Sequence, residues 1–240
     1  MKNIFKDSLK TETAGLTKIL AVVIAFVLFA GLQSVYALTT MKLSDGVDTI
    51  IIVDGDGSDK NPNDGVISFL GSLGSFNINA STGLTFPSIG AKTLPQMVLS
   101  SVGVSSGSGG TLTIMFTETG FGPLAAPGFT TSGGGTNKGN ISLEAYIDND
   151  NQEFGKGTLL AGLGPFDSPG AFKGETTTVV SPSDNFSLTT IATITHGSGE
   201  KVSSFGMNVS VIPEPISSIL FITGGAILGG RFFYKRINRI

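Results

Sequence analysis

Apolar and polar residues alternate along most of the chain between residues 38 and 212. Thr111–Thr117 (TLTIMFT) places Leu112, Ile114 and Phe116 on one face. Ile141–Ile147 places Ile141, Leu143, Ala145 and Ile147 on one face and Ser142, Glu144 and Tyr146 on the other. Phe205, Met207, Val209 and Val211 alternate in the same way. A period of two belongs to a strand with one face in a core and the other in solvent. Thr49–Val53, Val66–Leu70, Ser75–Asn79, Met97–Val104, Thr176–Val180 and Phe186–Thr195 read as further strands. Between these runs lie clusters of Gly, Pro, Asn, Asp and Ser, which are turn material. No stretch of the body keeps an apolar period of 3.6, and nothing recurs at a fixed spacing. The pattern predicts an all-β domain over residues 38–210, an antiparallel β-sandwich of jelly-roll type.

The two ends break the alternation. Residues 1–18 carry four Lys, Ile19–Leu32 is continuously apolar, and Gln33-Ser34-Val35-Tyr36-Ala37 comes next. A basic stretch, an apolar helix and a small residue make up a secretory signal peptide. Residues 1–37 are therefore expected to engage the Sec translocon and to be cut by signal peptidase between Ala37 and Leu38. The apolar run is short for a bilayer-spanning anchor, which needs about 20 residues.

The other end, residues 211–240, opens with Pro213-Glu214-Pro215, continues through the apolar Ile216–Gly230, and closes on Arg231, Lys235, Arg236 and Arg239. Extended through Phe232, Phe233 and Tyr234, the apolar run becomes long enough for a transmembrane helix. Its basic tail would stay in the cytoplasm by the positive-inside rule, while the signal peptide delivers the body outside. Both ends thus predict one topology. The two prolines hold Pro213–Pro215 extended and out of helical hydrogen bonding, hence accessible at the membrane surface.

This order of Pro-Glu-Pro, helix and basic cluster at a chain end resembles the PEP-CTERM sorting signal, also called the ice-binding protein C-terminal domain. The resemblance covers roughly residues 211–236, and the basic cluster departs from it in being interleaved with Phe, Tyr, Ile and Asn. It implies that Pro213, Glu214 and Pro215 are recognised by an exosortase, a membrane-embedded cysteine peptidase-like enzyme that cuts nearby. The protein would reside transiently in the inner membrane and then at the cell surface or outside the cell. The body is also similar to mature domains of such proteins in the order of Phe86-Pro87, Gly133-Gly134-Gly135-Thr136 and Ile194-Thr195-His196.

Charge sharpens the picture once the ends are set aside. Residues 38–212 hold seven Lys and no Arg against fifteen Asp and Glu, a net charge of −8. Nucleic-acid backbones need a basic surface, so a nucleic-acid partner is not expected. The chain has no Cys and no Trp. It can have neither disulfides nor thiolate metal sites, and core burial must hold the secreted domain together.

Candidate chemistry is sparse. Asp54, Asp56, Asp59 and Asp64 punctuate a Gly- and Asn-rich stretch, and carboxylates on such a loop suit Ca²⁺. It is not an EF-hand, because Asp59 stands where that loop needs Gly and Gly65 where it needs Glu. Asp and Asn also favour plain turns, and a solvated loop is the simpler reading. Asp148–Glu153 is a second acidic turn of the same kind. Gly103-Val104-Ser105-Ser106-Gly107 matches a nucleophile-elbow pattern, with His196 as the sole available imidazole. The residues after Gly107 read as a strand rather than the required helix, so no enzyme is expected. The expected role is non-catalytic: a structural, biofilm or exopolysaccharide-associated component, with a Ca²⁺- or carbohydrate-binding module as the alternative.

Overall fold

The computed structural model describes residues 37–125 and 128–212. The two terminal helices expected from the sequence fall outside the described residues, as do Pro213, Glu214, Pro215, Arg231, Lys235 and Arg236. Twelve strands are formed among the described residues: β1 Thr39–Ser44, β2 Thr49–Val53, β3 Val66–Leu73, β4 Phe76–Leu84, β5 Gln96–Ser106, β6 Gly110–Phe121, β7 Gly128–Asn137, β8 Asn140–Asp148, β9 Thr158–Phe166, β10 Gly170–Val179, β11 Phe186–His196 and β12 Lys201–Val211. Every alternating segment of the sequence overlaps one of them. The expectation of an all-β, antiparallel domain holds.

The strands form two six-stranded sheets, ordered β2-β1-β6-β11-β8-β9 and β10-β7-β12-β5-β4-β3. All pairings are antiparallel. Four of them are nested: β5 with β12, β6 with β11, β7 with β10, and β8 with β9. Two further pairs, β7–β12 and β8–β11, close the sheets. The chain from β5 to β12 is thus one long hairpin, with β1–β2 and β3–β4 added at its open sides.

Inward residues of both sheets meet in one core. Met41, Ile114, Phe116, Leu143 and Ile194 come from the first sheet, and Ile78, Leu99, Phe205, Met207 and Val209 from the second. The layers touch closely: a Cβ on Gly83 of β4 would collide with the Phe116 ring of β6. This is the two-layer packing of a sandwich, in which alternate residues of each strand interdigitate across the gap.

Three strands, β1, β7 and β9, were not anticipated from the pattern. β7 is the instructive one, because Gly133-Gly134-Gly135 reads as a turn and is instead the middle of an interior strand. Its glycines are set by close approach. A Cβ on Gly133 would run into Leu143, and one on Gly135 would lie 2.8 Å from Phe205 Cα and closer still to Ser204 O.

Candidate functional site

A groove of about 580 Å³ lies on the outer face of the second sheet. It crosses four neighbouring strands, and the ladder register aligns its residues in two rows. One row runs Lys173, Gly134 and Gly206; the next runs Glu175, Ser132, Asn208 and Val98. Phe205, Met207 and Val209 point inward on β12, so Gly206 and Asn208 point out. Lys173 and Glu175 stand on the edge strand β10 as one wall. Two adjacent glycines, Gly134 and Gly206, remove side chains from the centre and leave the floor as bare backbone.

Gly206 is the informative residue. A Cβ there would meet nothing within 4 Å, and its φ lies outside the left-handed region. Neither packing nor backbone conformation requires a glycine at this place. Glycine costs about 0.5–1 kcal/mol in a strand interior relative to alanine, and it is used where a ligand or another backbone approaches closely. Gln96 Nε2 donates to Asn208 Oδ1 at 3.2 Å, which holds the Asn208 amide in place and leaves its N–H₂ as a donor. Sequence reading missed this groove because its residues are scattered over four strands. The only trace was a pair of outward glycines, lost among 34.

The acidic loop joins β2 to β3, and Asp54, Asp56 and Asp59 each turn one carboxylate oxygen to backbone N–H groups of the loop or of β3. Asp56 Oδ1 accepts from Ser58 N at 2.6 Å and from the Ser58 hydroxyl, which holds the Asp56 carboxyl below its usual range. Asp59 Oδ1 accepts from Asn61 N at 2.9 Å and Ser68 N at 3.0 Å. Asp54 Oδ2 accepts from Gly65 N at 2.6 Å. Asp64 contributes its carbonyl oxygen, which accepts from Ser88 Oγ at 3.0 Å. Asp54 Oδ1 and Asp59 Oδ2, however, are buried without a hydrogen-bond partner. Burial, and then the charges of Asp59 and Asp64, push the Asp54 carboxyl up against the opposing pull of the Gly65 N–H. Among the described residues, no three acidic or imidazole side chains converge to hold a metal ion. The four aspartates alone do not make a cage.

Behind this loop lies Glu118 of β6, only 1% exposed. Burial pushes its carboxyl up to about 7. The Thr39 hydroxyl donates to Oε2 at 3.4 Å, and the Thr85 hydroxyl lies close enough to favour the charged form without reaching hydrogen-bonding geometry. Asp54 raises the carboxyl further and Lys92 lowers it. The alternation that put Leu112, Ile114 and Phe116 inward, carried on by two residues, puts Glu118 on the same inward face, although its charge marks the position as polar.

The second acidic turn, Asp148–Glu153, is a satisfied turn. Asp148 Oδ1 accepts from Asp150 N at 2.9 Å, and Asn151 Oδ1 accepts from Gly120 N at 2.7 Å. The elbow-like segment lies along β5 and runs into its turn. The Ser105 hydroxyl donates to Asn77 O at 3.4 Å and does not touch the imidazole. Its neighbour Ser106 does, from inside the core: Ser106 Oγ lies 2.9 Å from His196 Nδ1, and Ser203 Oγ lies 2.9 Å from Nε2. Ser203 donates onward to Asn137 Oδ1 at 3.3 Å. Ser203 therefore accepts from Nε2–H, and Nδ1 accepts from Ser106, which assigns a neutral imidazole with both nitrogens satisfied. Burial, with a smaller push from Lys201, lowers the His196 pKa and keeps it neutral. The histidine pins β11 of one sheet to β5 and β12 of the other.

No protein-family model and no curated protein matches the chain. Among solved structures, the K1 cleaved adhesin domain of Lys-gingipain from Porphyromonas gingivalis W83 is similar at 10% identity, over 62% of this chain and 99% of that one, with a TM-score of 0.31. The enzymatically active domain of tailspike protein 4 from bacteriophage CBA120 is similar at 12% identity, over 63% of this chain and 20% of that one, with a TM-score of 0.30. TmCBM61, solved in complex with β-1,4-galactotriose, is similar at 8% identity, over 64% and 92%, with a TM-score of 0.25. At these TM-scores the likenesses carry no argument about fold or function.

Proposed function

We propose that this is an exported surface or extracellular-matrix protein whose β-domain, a jelly-roll sandwich, has a non-catalytic role in association with exopolysaccharide. The jelly-roll reading rests on the nested pairs from β5–β12 inward to β8–β9. The observation that carries the export reading is where the β-domain starts and stops. Leu38 N donates to Thr119 Oγ1 at 2.9 Å, and Ile212 N donates to Gly128 O at 2.8 Å. Cuts after Ala37 and near Pro213–Pro215 therefore leave all twelve described strands whole. The signal peptide and the PEP-type tail would be spent in delivery by the Sec translocon and exosortase, leaving the domain outside.

Mass spectrometry of the native protein, fractionated into inner membrane, outer surface and medium, tests this. The expected mature form begins at Leu38 and ends near Pro213–Pro215, outside the inner membrane. A form that keeps Ile216–Ile240 in the inner membrane overturns sorting in favour of a permanent anchor.

A second reading, Ca²⁺ binding, is favoured by Asp54 Oδ1 and Asp59 Oδ2, the two buried carboxylate oxygens without partners. An ion there would take its remaining oxygens from loop carbonyls and water, as Ca²⁺ sites commonly do. Thermal melts in Ca²⁺ against chelator are expected to show a rise in Tm, absent in Asp54→Asn. At a hundredfold excess over Kd the stabilisation would be about 2.7 kcal/mol. Melts that coincide with and without Ca²⁺ remove this reading and leave the first untouched.

A further inference from the structure

We infer that the outer-face groove between β10 and β5 binds an uncharged polysaccharide chain, lying on the backbone floor of Gly134 and Gly206. The inference rests on the exopolysaccharide reading above and names the site and the chemistry of its ligand.

The groove's volume of about 580 Å³ falls within the range of small-molecule sites, and it lies open on the sheet face. An open groove takes the middle of a chain as readily as its end. The lining chooses among polymers. Lys173 offers donors, Glu175 offers acceptors, and Asn208 and Ser132 offer both. Sugar hydroxyls donate and accept at the same atom, so a mixed lining satisfies them. Phosphate and carboxylate only accept, and they are bound by concentrated Lys and Arg. One Lys beside one Glu, on a body of net charge −8, repels an anionic chain.

A peptide strand is disfavoured by topology. β7 and β12 are interior strands with ladder bonds on both sides, so the groove floor has no free backbone edge to pair with an added strand. Lys173 and Glu175 on β10 also guard the exposed edge against such pairing. The remaining mode is recognition by side-chain hydrogen bonds around a flat surface of Cα–H groups, with Val98 at the far side. The domain has no Trp, and the glycine floor offers a sugar ring a level face where an aromatic platform would otherwise serve.

Gly206 supplies a clean test, because the protein has room for a side chain there and the ligand would not. Full-length protein is run in native gels containing a soluble neutral glucan, galactan or mannan, or the acidic polymer alginate, with affinities measured by titration calorimetry. At least one neutral polymer is expected to retard the protein, and alginate to retard it less. Gly206→Leu is expected to melt at or above the wild-type temperature and to weaken binding at least about tenfold. Lys173→Ala and Glu175→Ala, both exposed and independent of the Gly206 variant, should each weaken it by about three- to tenfold, the loss of one or two hydrogen bonds. Leu159→Ser, on β9 of the other sheet, should bind as wild type. If folded Gly206→Leu and both charge variants bind a neutral polymer as wild type does, the groove is not the site, while association with polysaccharide stands. Stronger binding of alginate than of any neutral polymer overturns the ligand class. If no polymer retards the protein, the exopolysaccharide reading itself fails.

Discussion

Gly135→Ala is expected to cost at least about 3 kcal/mol of stability, while Gly206→Ala costs nothing or stabilises slightly. The two glycines pair with neighbouring residues in the same sheet, and both substitutions add one methyl group. At Gly135 that methyl would lie 2.8 Å from Phe205 Cα and nearer still to Ser204 O. Both obstacles are backbone of the adjoining strand β12, which cannot rotate away as a side chain would. Relief must come from separating β7 and β12, and with them rungs of a ladder that runs from Val211 to Ser204. At Gly206 the methyl enters open space. For a domain of this size, about 3 kcal/mol corresponds to a fall of roughly 6–12 °C in Tm. Paired thermal melts check it. Equal melting of Gly135→Ala and wild type would show that β7 and β12 are not in the register described.

The second large effect is a loss of stability between about pH 4.5 and 7 that Glu118→Gln abolishes. Glu118 has an ordinary value of 4.5, and burial raises it to about 7 in the folded protein. Between those values the folded state binds a proton that the unfolded state has released, so stability falls as pH rises. The loss is complete above about pH 7 and absent below about 4.5. Its size is about 3 kcal/mol for a shift of this order. Glutamine keeps the shape and a hydrogen-bonding end without the charge, so Glu118→Gln should be the more stable protein at pH 8 and lose its advantage at pH 4.5. His196 acts in the opposite direction below its ordinary 6.5, because burial lowers its pKa and the unfolded state holds the extra proton. The difference between the wild-type and Glu118→Gln urea midpoints from pH 4.5 to 8 cancels that contribution. A difference that stays flat with pH would place Glu118 in solvent.

Much of the fold was legible because burial on one face imposes a period of two. Thr49–Val53 matches β2 residue for residue, and the runs in β6, β8 and β12 identify their inward faces. Of the strands that escaped, β7 has faces with little contrast. Thr130, Ser132 and Thr136 alternate on β7 with glycines that face the core or the neighbouring strand, so no hydrophobic signal survives. The elbow-like segment shows the reverse error. Ser105 and His196 are the residues the pattern singles out, yet strand alternation turns Ser105 away and brings Ser106 to the imidazole. The acidic loop was legible as a loop, but not which of its oxygens would remain without partners.

The sequence by itself determined that the body is all-β, which faces of its clearest strands are buried, and that an acidic, cysteine-free domain sits between two ends that each carry an apolar run and basic residues. These are properties of neighbouring residues, and side-chain period, charge and apolar length act over a few positions at a time. Only the tertiary structure decided that Glu118 would be buried beside Asp54, that His196 would join the two sheets, and that Gly134 and Gly206 would lie side by side beneath Lys173 and Glu175. Each of these depends on strand order and register. Residues as far apart as 100 and 206 become neighbours through ladder hydrogen bonds that no local pattern encodes.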